Sequence, residues 1–298
     1  MTALRGCGTA LVTPFTGHGA LDEPALRALV AWQLEEGIDF LVPCGSTGEA
    51  QTLDDAERER VVRVVVEATA GRVPVLAGAT HNDTRRAVVE ARRMCDAGAD
   101  AILSACPYYN KPTQDGLRRH FEAVVAASAR PVVLYNVPSR SGVNLLPATV
   151  AALAADPRVA GIKEASGDMH QALELLRRRP AGFRVFAGDD WMALPLVACG
   201  GDGVVSVASN LVPSLMGQLV RHALEGRLDA ARDLGLRLLP LLDANFVESN
   251  PIPVKAGLAL LGRLRNVLRL PLLPASPATV DRMRAELVNL DLPLVPHG

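Results

Sequence analysis

The chain has 298 residues, enough for one large domain or two small ones, and a globular chain of this size buries roughly 75% of its unfolded surface. Apolar residues make up 49% and charged residues 21%, with 31 basic against 32 acidic side chains, so the net field attracts neither nucleic acid nor an acidic membrane. No apolar run reaches the ~18 residues that cross a bilayer, and Met1-Thr-Ala-Leu-Arg-Gly6 lacks the apolar centre of a signal peptide, so a cytosolic location is expected.

Eight short runs rich in Val, Ile, Leu, Ala and Cys are expected as buried strands: residues 7–15, 40–43, 73–79, 101–107, 131–138, 159–165, 183–188 and 203–209. Their starts lie 20 to 33 residues apart, and the stretches between carry apolar residues at helical spacing, as in 54–70, 83–97 and 113–127. Asp22-Glu-Pro24 and Thr113-Gln-Asp115 open helices, while Gly37, Gly71 and Gly98 close them. Strands that are apolar throughout and alternate with helices imply a parallel sheet covered on both faces. Eight such units in about 210 residues fit a closed (β/α)8 TIM barrel better than an open doubly wound sheet. Past the eighth strand, 212–225, 228–245, 253–261 and 277–288 are helical in pattern, and Pro271-Leu-Leu-Pro274 breaks the run. The barrel is expected over residues 1–225, with a C-terminal helical region over 226–298 appended to it. The charge run Arg177-Arg-Arg179 reads as a solvated helix end.

The five cysteines (Cys7, Cys44, Cys95, Cys106, Cys199) are odd in number and contain no C-x-x-C pair, which argues against a disulfide framework or a zinc cage. They read as small apolar residues. Only three of the 31 basic residues are lysines (Lys111, Lys163, Lys255), and there are only three tyrosines (Tyr108, Tyr109, Tyr135).

In a barrel of this type the chemistry lies at the carboxyl ends of the strands. All three tyrosines map to that rim, together with Cys44-Gly-Ser-Thr-Gly-Glu49, Arg140, Lys163, Asp189-Asp190 and Asn210. Lys163 follows Val159-Ala-Gly-Ile162 inside an apolar strand, where loss of water favours the neutral, nucleophilic amine that forms Schiff bases with ketones. The alternative is a lysine paired with a carboxylate such as Glu164. Tyr135, at the end of the adjacent strand, is placed to shuttle protons. Gly45-Ser-Thr-Gly48 lies between a strand and a helix that begins near Asp54, and the exposed amides and hydroxyls of Ser46 and Thr47 make a cradle for a carboxylate. The alternative there is a tight connection and nothing more. Arg140 offers a guanidinium fork for a second carboxylate, or else a surface salt bridge.

No dinucleotide or nucleoside-triphosphate loop is present, and the six histidines (His18, His81, His120, His170, His222, His297) show no paired spacing, so no cofactor or metal is expected. His81 is assigned to a helix start and His120 to the surface. Lys255 is assigned a structural role and Lys111 a polar loop.

Six motifs together resemble the dihydrodipicolinate synthase family of pyruvate-dependent class I aldolases: Gly45-Ser-Thr-Gly-Glu49, Pro107-Tyr-Tyr-Asn-Lys-Pro112, Leu134-Tyr-Asn-Val-Pro-Ser-Arg-Ser-Gly142, Gly161-Ile-Lys-Glu-Ala-Ser-Gly167, Gly203-Val-Val-Ser-Val207 and Asn250-Pro-Ile-Pro-Val-Lys255. The first four are partly shared with N-acetylneuraminate lyase and related aldolases, whereas the segment from Phe246 to Lys255 is most similar to the synthases. The resemblance implies Lys163 as the Schiff-base lysine for pyruvate and Tyr135 at the centre of a proton relay with Ser46 and Tyr109. It implies further that Thr47 and the main chain at Val205 contact pyruvate, and that Arg140 holds the carboxylate of L-aspartate 4-semialdehyde. Tyr109 is implied to enter a neighbouring subunit's site in a homotetramer built from two tight dimers. Ser46 stands where the family often has Thr, and the hydroxyl is retained. A barrel that only senses ligands is disfavoured by the intact set of residues.

In lysine-inhibited members of the family the effector site maps onto Ala50, Gln51, Arg58, Asn82, Arg86 and Tyr108. Arg86 stands where a glutamate is expected, and Arg58 where a histidine is usual, so weak or absent inhibition by lysine is expected.

Overall fold

A computed structural model describes residues 4–295; the first three residues and His297 lie outside the described residues. Eight strands form at the predicted runs, β1 starting one residue early and the others within their runs: β1 Gly6–Ala10, β2 Phe40–Val42, β3 Leu76–Gly78, β4 Ala101–Ala105, β5 Val132–Asn136, β6 Val159–Glu164, β7 Arg184–Ala187 and β8 Gly203–Ser206. Several stop short of the predicted carboxyl end because apolarity reports burial, which continues where pairing stops. Beyond β1, Leu11, Val12 and Phe15 stay buried under the loops of the rim.

All ladders are parallel, and the order β2-β1-β8-β7-β6-β5-β4-β3 runs once around a barrel. The seam between β2 and β3 is closed by a single Leu41–Val75 bridge, with the Leu41 amide donating to the Pro74 carbonyl at 3.0 Å and the Gly78 amide to the Pro43 carbonyl at 2.9 Å. A Cβ on Gly78 would lie 2.0 Å from the Cys44 carbonyl oxygen, so the close approach at this seam requires glycine.

Side chains alternate between two cores, as the pleat requires. Phe40, Leu76, Leu103, Val133, Phe186 and Val205 fill the barrel, whereas a larger cluster joins the outer strand faces to the helices. The helix starts are capped as the sequence implies. Asp22 accepts from the Ala25 amide, Asp54 and Glu57 form a reciprocal capping box, and Thr113 accepts from the Gly116 amide. Gly37, Gly71 and Gly98 take positive φ just past helix ends.

His120 is a correction. It is buried in the helix Gln114–Ala127, on the face shared with Leu117, Phe121 and Val124, because its spacing from them is that of one apolar stripe. Its Nδ1 lies 2.9 Å from the Thr84 hydroxyl, and burial lowers its pKa to about 4. Cys7, Cys44 and Cys106 are buried as expected, but Cys95 is half-buried and Cys199 is exposed at a helix end.

After the barrel helix Pro213–Leu224 come Leu228–Ala244, Ile252–Leu260 and Pro277–Asn289, with Pro240 accommodated inside the first. Their Leu238, Leu241, Leu258 and Met283 belong to the same core cluster as the outer layer of the barrel. This packing brings Ser249, Asn250, Pro271 and Leu272 beside Cys44, Gly45 and Ser46 at the carboxyl end of β2. Among the described residues no helix is long and apolar enough to cross a membrane.

Candidate active site

A cavity of about 330 Å³ opens at the carboxyl ends of the strands, with Ser46, Tyr108, Tyr135, Arg140 and Asn250 among its lining residues. Tyr135 of β5 lies in register with Lys163 of β6, which in turn pairs with Phe186 of β7. Lys163 is therefore an inward-facing residue in a layer of the barrel core, 6% exposed. Its stem passes Gly188, where a Cβ would stand 3.1 Å from Lys163 Cε and 2.5 Å from the Ala165 Cβ, so the glycine leaves the lysine room. Lys163 Nζ lies 4.2 Å from the centroid of the Tyr135 ring.

The alternative partner, Glu164, faces the other way because successive strand residues alternate sides. Its carboxylate accepts from the Ser166 amide at 2.7 Å, Asn136 Nδ2 at 3.1 Å and Gln171 Nε2 at 3.2 Å, and burial raises its pKa. Among the described residues Lys163 forms no salt bridge and no hydrogen bond. Asp189, at the end of β7, is the acid that feels its charge: burial raises the Asp189 pKa, and Lys163 and Arg140 oppose that shift.

The loop after β2 places Ser46 and Thr47 at the rim. Among the described residues neither amide donates to a protein acceptor; Ser46 lines the cavity, while Thr47 is buried at 3% exposure. A 3-10 turn, Ala50–Thr52, separates this loop from the helix Asp55–Thr69. The cradle is thus built by loop amides, and the helix begins at Asp55 with Asp54 as its cap, where the sequence placed it. Thr13 donates to the Gly48 carbonyl at 2.6 Å, and Asn250 Nδ2 donates to the Thr47 hydroxyl oxygen at 2.9 Å.

Arg140 sits in the short helix Pro138–Ser141, where Nη2 donates to the Asn250 carbonyl at 3.0 Å; among the described residues it has no carboxylate partner. The side chain is exposed, and its remaining guanidinium donors can take an anion. Val205 is buried in β8, in the interior cluster with Tyr135. Tyr109 stands apart, 88% exposed, with φ of 71° and its amide bonded to the Ser141 carbonyl. It does not line this chain's cavity. The structure therefore sets Ser46, Tyr135 and Arg140 in the lining of one cavity, holds the buried Lys163 in register with Tyr135 and the buried Thr47 against Asn250, neither of them in that lining, and leaves Tyr109 exposed.

Sequence reasoning passed over Asn250 and Glu49. Asn250 opens the same Asn-Pro-Ile-Pro-Val-Lys motif that drew attention to Lys255, and Glu49 closes the Gly-Ser-Thr-Gly turn; those adjacencies were the available signals. Lys255 is fully buried against Glu49, and burial lowers its pKa.

A profile of the dihydrodipicolinate synthetase family matches residues 3–289. The 4-hydroxy-tetrahydrodipicolinate synthase of Acidobacterium capsulatum is 54% identical over 95% of this chain and 96% of its own length. The dihydrodipicolinate synthase structure from Thermotoga maritima superposes with a TM-score of 0.95 at 43% identity, covering 97% of this chain and 99% of that one. A monomeric dihydrodipicolinate synthase variant superposes equally well, with a TM-score of 0.95 at 42% identity and 97% of each chain covered. By fold, by cavity and by near full-length similarity, this chain belongs to the dihydrodipicolinate synthetase family.

Proposed function

We propose that this chain condenses pyruvate with L-aspartate 4-semialdehyde to give 4-hydroxy-tetrahydrodipicolinate, with Lys163 as the covalent nucleophile. The observation that carries the assignment of Lys163 is a buried amine without a salt-bridge partner, set against the Tyr135 ring at the rim where the Ser46 and Thr47 amides have no protein acceptor.

The pyruvate carboxylate takes the amides and hydroxyls of Ser46 and Thr47, and its main-chain contact on β8 is at Val205. Lys163 Nζ adds to the ketone carbon and water leaves, so the C=O bond is replaced by a protonated C=N bond. Tyr135 removes a methyl proton, and the electron pair moves into an enamine with the imine as sink. The enamine carbon attacks the aldehyde, whose oxygen takes a proton from Tyr135. Arg140 holds the carboxylate of the aldehyde substrate in a fixed fork. The substrate's own amine then adds to the imine carbon, the new C–N bond closes the ring, and the bond to Lys163 breaks, restoring the amine. Ser46 and Tyr109 complete the proton relay with Tyr135, and Tyr109 comes from a neighbouring subunit of a homotetramer. The outward ring of Tyr109 supports that assignment. The buried free thiols suit a reducing cytoplasmic location.

A coupled assay offering pyruvate with aspartate semialdehyde, N-acetylmannosamine or sugar-acid aldehydes tests the reading. Turnover with aspartate semialdehyde is expected; turnover confined to another aldehyde overturns it.

A further inference from the structure

Two non-glycine residues with left-handed backbones bracket the loop that presents Ser46 and Thr47: Cys44 at φ 57° and Glu49 at φ 51°. Such conformations are costly for residues with a Cβ and persist only where surrounding contacts enforce them. At Glu49 those contacts come from the far end of the chain. One carboxylate oxygen accepts from Lys255 Nζ at 2.5 Å and the other from the Arg269 amide at 3.1 Å. Neither side chain of the Glu49–Lys255 pair is exposed at all. Lys255 also donates to the Val267 carbonyl at 2.7 Å and lies 4.3 Å from the Phe15 ring centroid. Arg269 covers the same ring at 4.4 Å, binds Glu57 through two bonds of 2.6 Å and donates to the Thr52 carbonyl.

A buried ion pair contributes little stability beyond well-packed apolar side chains of the same volume; what it supplies is a fixed direction. Here the direction is imposed on the residue that ends the carboxylate cradle, while Asn250, five positions before Lys255, holds the Thr47 hydroxyl in the middle of it. We propose that the Lys255–Glu49 pair is a positioning device for the site, locking loop 45–48 so that the Ser46 and Thr47 amides face the keto-acid carboxylate. The inference deepens the reading of that loop given above and rests on it. Lys255 touches no substrate and acts through Glu49.

The test is borohydride trapping at Lys163 as a function of ketone concentration, with pyruvate compared against its methyl ester, which keeps the ketone and lacks the carboxylate charge. In Lys255→Met the half-saturating pyruvate concentration rises about tenfold, the worth of one hydrogen bond to a charged group, while that of methyl pyruvate stays within about threefold. If Lys255→Met leaves Glu49 too destabilised to fold, the double variant Lys255→Met/Glu49→Gln carries the test with no unpaired charge, and the same selective loss is expected. An unchanged pyruvate dependence in a folded variant, or equal loss for both ketones, overturns the proposal. Failure of the parent protein to trap pyruvate at Lys163 would instead overturn the Schiff-base reading, and this inference with it.

Discussion

Lys163 and Tyr135 face each other in register across β6 and β5, with the lysine nitrogen 4.2 Å from the tyrosine ring centroid. One strand pair fixes both, so the proposed nucleophile and the proposed proton carrier keep their separation without help from any loop. The arrangement also distinguishes Lys163 from the more deeply buried Lys255, whose amine is held by Glu49 and Val267. Treatment with pyruvate and borohydride should therefore label Lys163 alone, as read by mass mapping; an adduct on Lys111 or Lys255 would contradict the assignment.

Tyr135→Phe keeps the ring that packs against Lys163 and removes only the hydroxyl. The fold and the trapping of pyruvate should persist while turnover falls by about 10² to 10⁴, the usual contribution of a positioned acid or base. Turnover within a few-fold of the parent would exclude that role.

Tyr109 is 88% exposed in a chain that buries its other tyrosines far more. If its ring enters a neighbour's site, mixing Tyr109→Phe and Lys163→Ala subunits should restore part of the activity that each lacks alone. Absence of complementation in mixed oligomers would place the function of Tyr109 within its own chain.

Free lysine at millimolar concentration should leave the rate nearly unchanged. Arg86 is exposed and has no carboxylate partner among the described residues. Acids around Arg86 are already engaged: Glu90 by Arg58 at 3.4 Å and Arg93 at 3.3 Å, Asp83 by Arg85 and Asp55 by Arg93, while Glu57 pairs with Arg269. Loss of a charge pair in a partly buried site costs about 2 to 5 kcal/mol, more than tenfold in affinity. Initial rates titrated with lysine should be flat, and Arg86→Glu should gain sensitivity; inhibition of the parent below millimolar lysine would refute the charge argument.

His120 gives the protein an acid-sensitive point. Its folded pKa is lowered from 6.5 to about 4 by burial, so below pH ~6.5 the unfolded chain takes up a proton that the folded chain refuses. Stability is unaffected above that pH and falls as pH drops towards 4, by up to about 3 kcal/mol. His120→Leu should flatten this limb in denaturant titrations between pH 7 and 4; identical pH profiles for parent and variant would show that the ring is solvated or protonated in the fold.

The barrel was legible because each strand is buried on both faces and so writes an unbroken apolar run, and because glycines and acidic caps mark the helix ends between runs. Lys163 was legible for the same reason, as a cation interrupting such a run. The sequence alone could not decide between Schiff-base chemistry and a pair with Glu164; the pleat decided against the pair by turning adjacent residues to opposite faces. His120 was misassigned because one polar residue on an apolar stripe has the same local pattern whether a partner such as Thr84 lies above it or water does.

Other features exist only once the chain has closed. Glu49 meets Lys255 across 206 residues of sequence, and Thr47 meets Asn250 across 203. Local periodicity records which face of an element is buried, and it holds no information on which distant segment covers that face. The sequence by itself determined the elements, their order and the residues able to do the chemistry; tertiary packing decided which of them meet, because those contacts depend on how the C-terminal helices cross the barrel mouth.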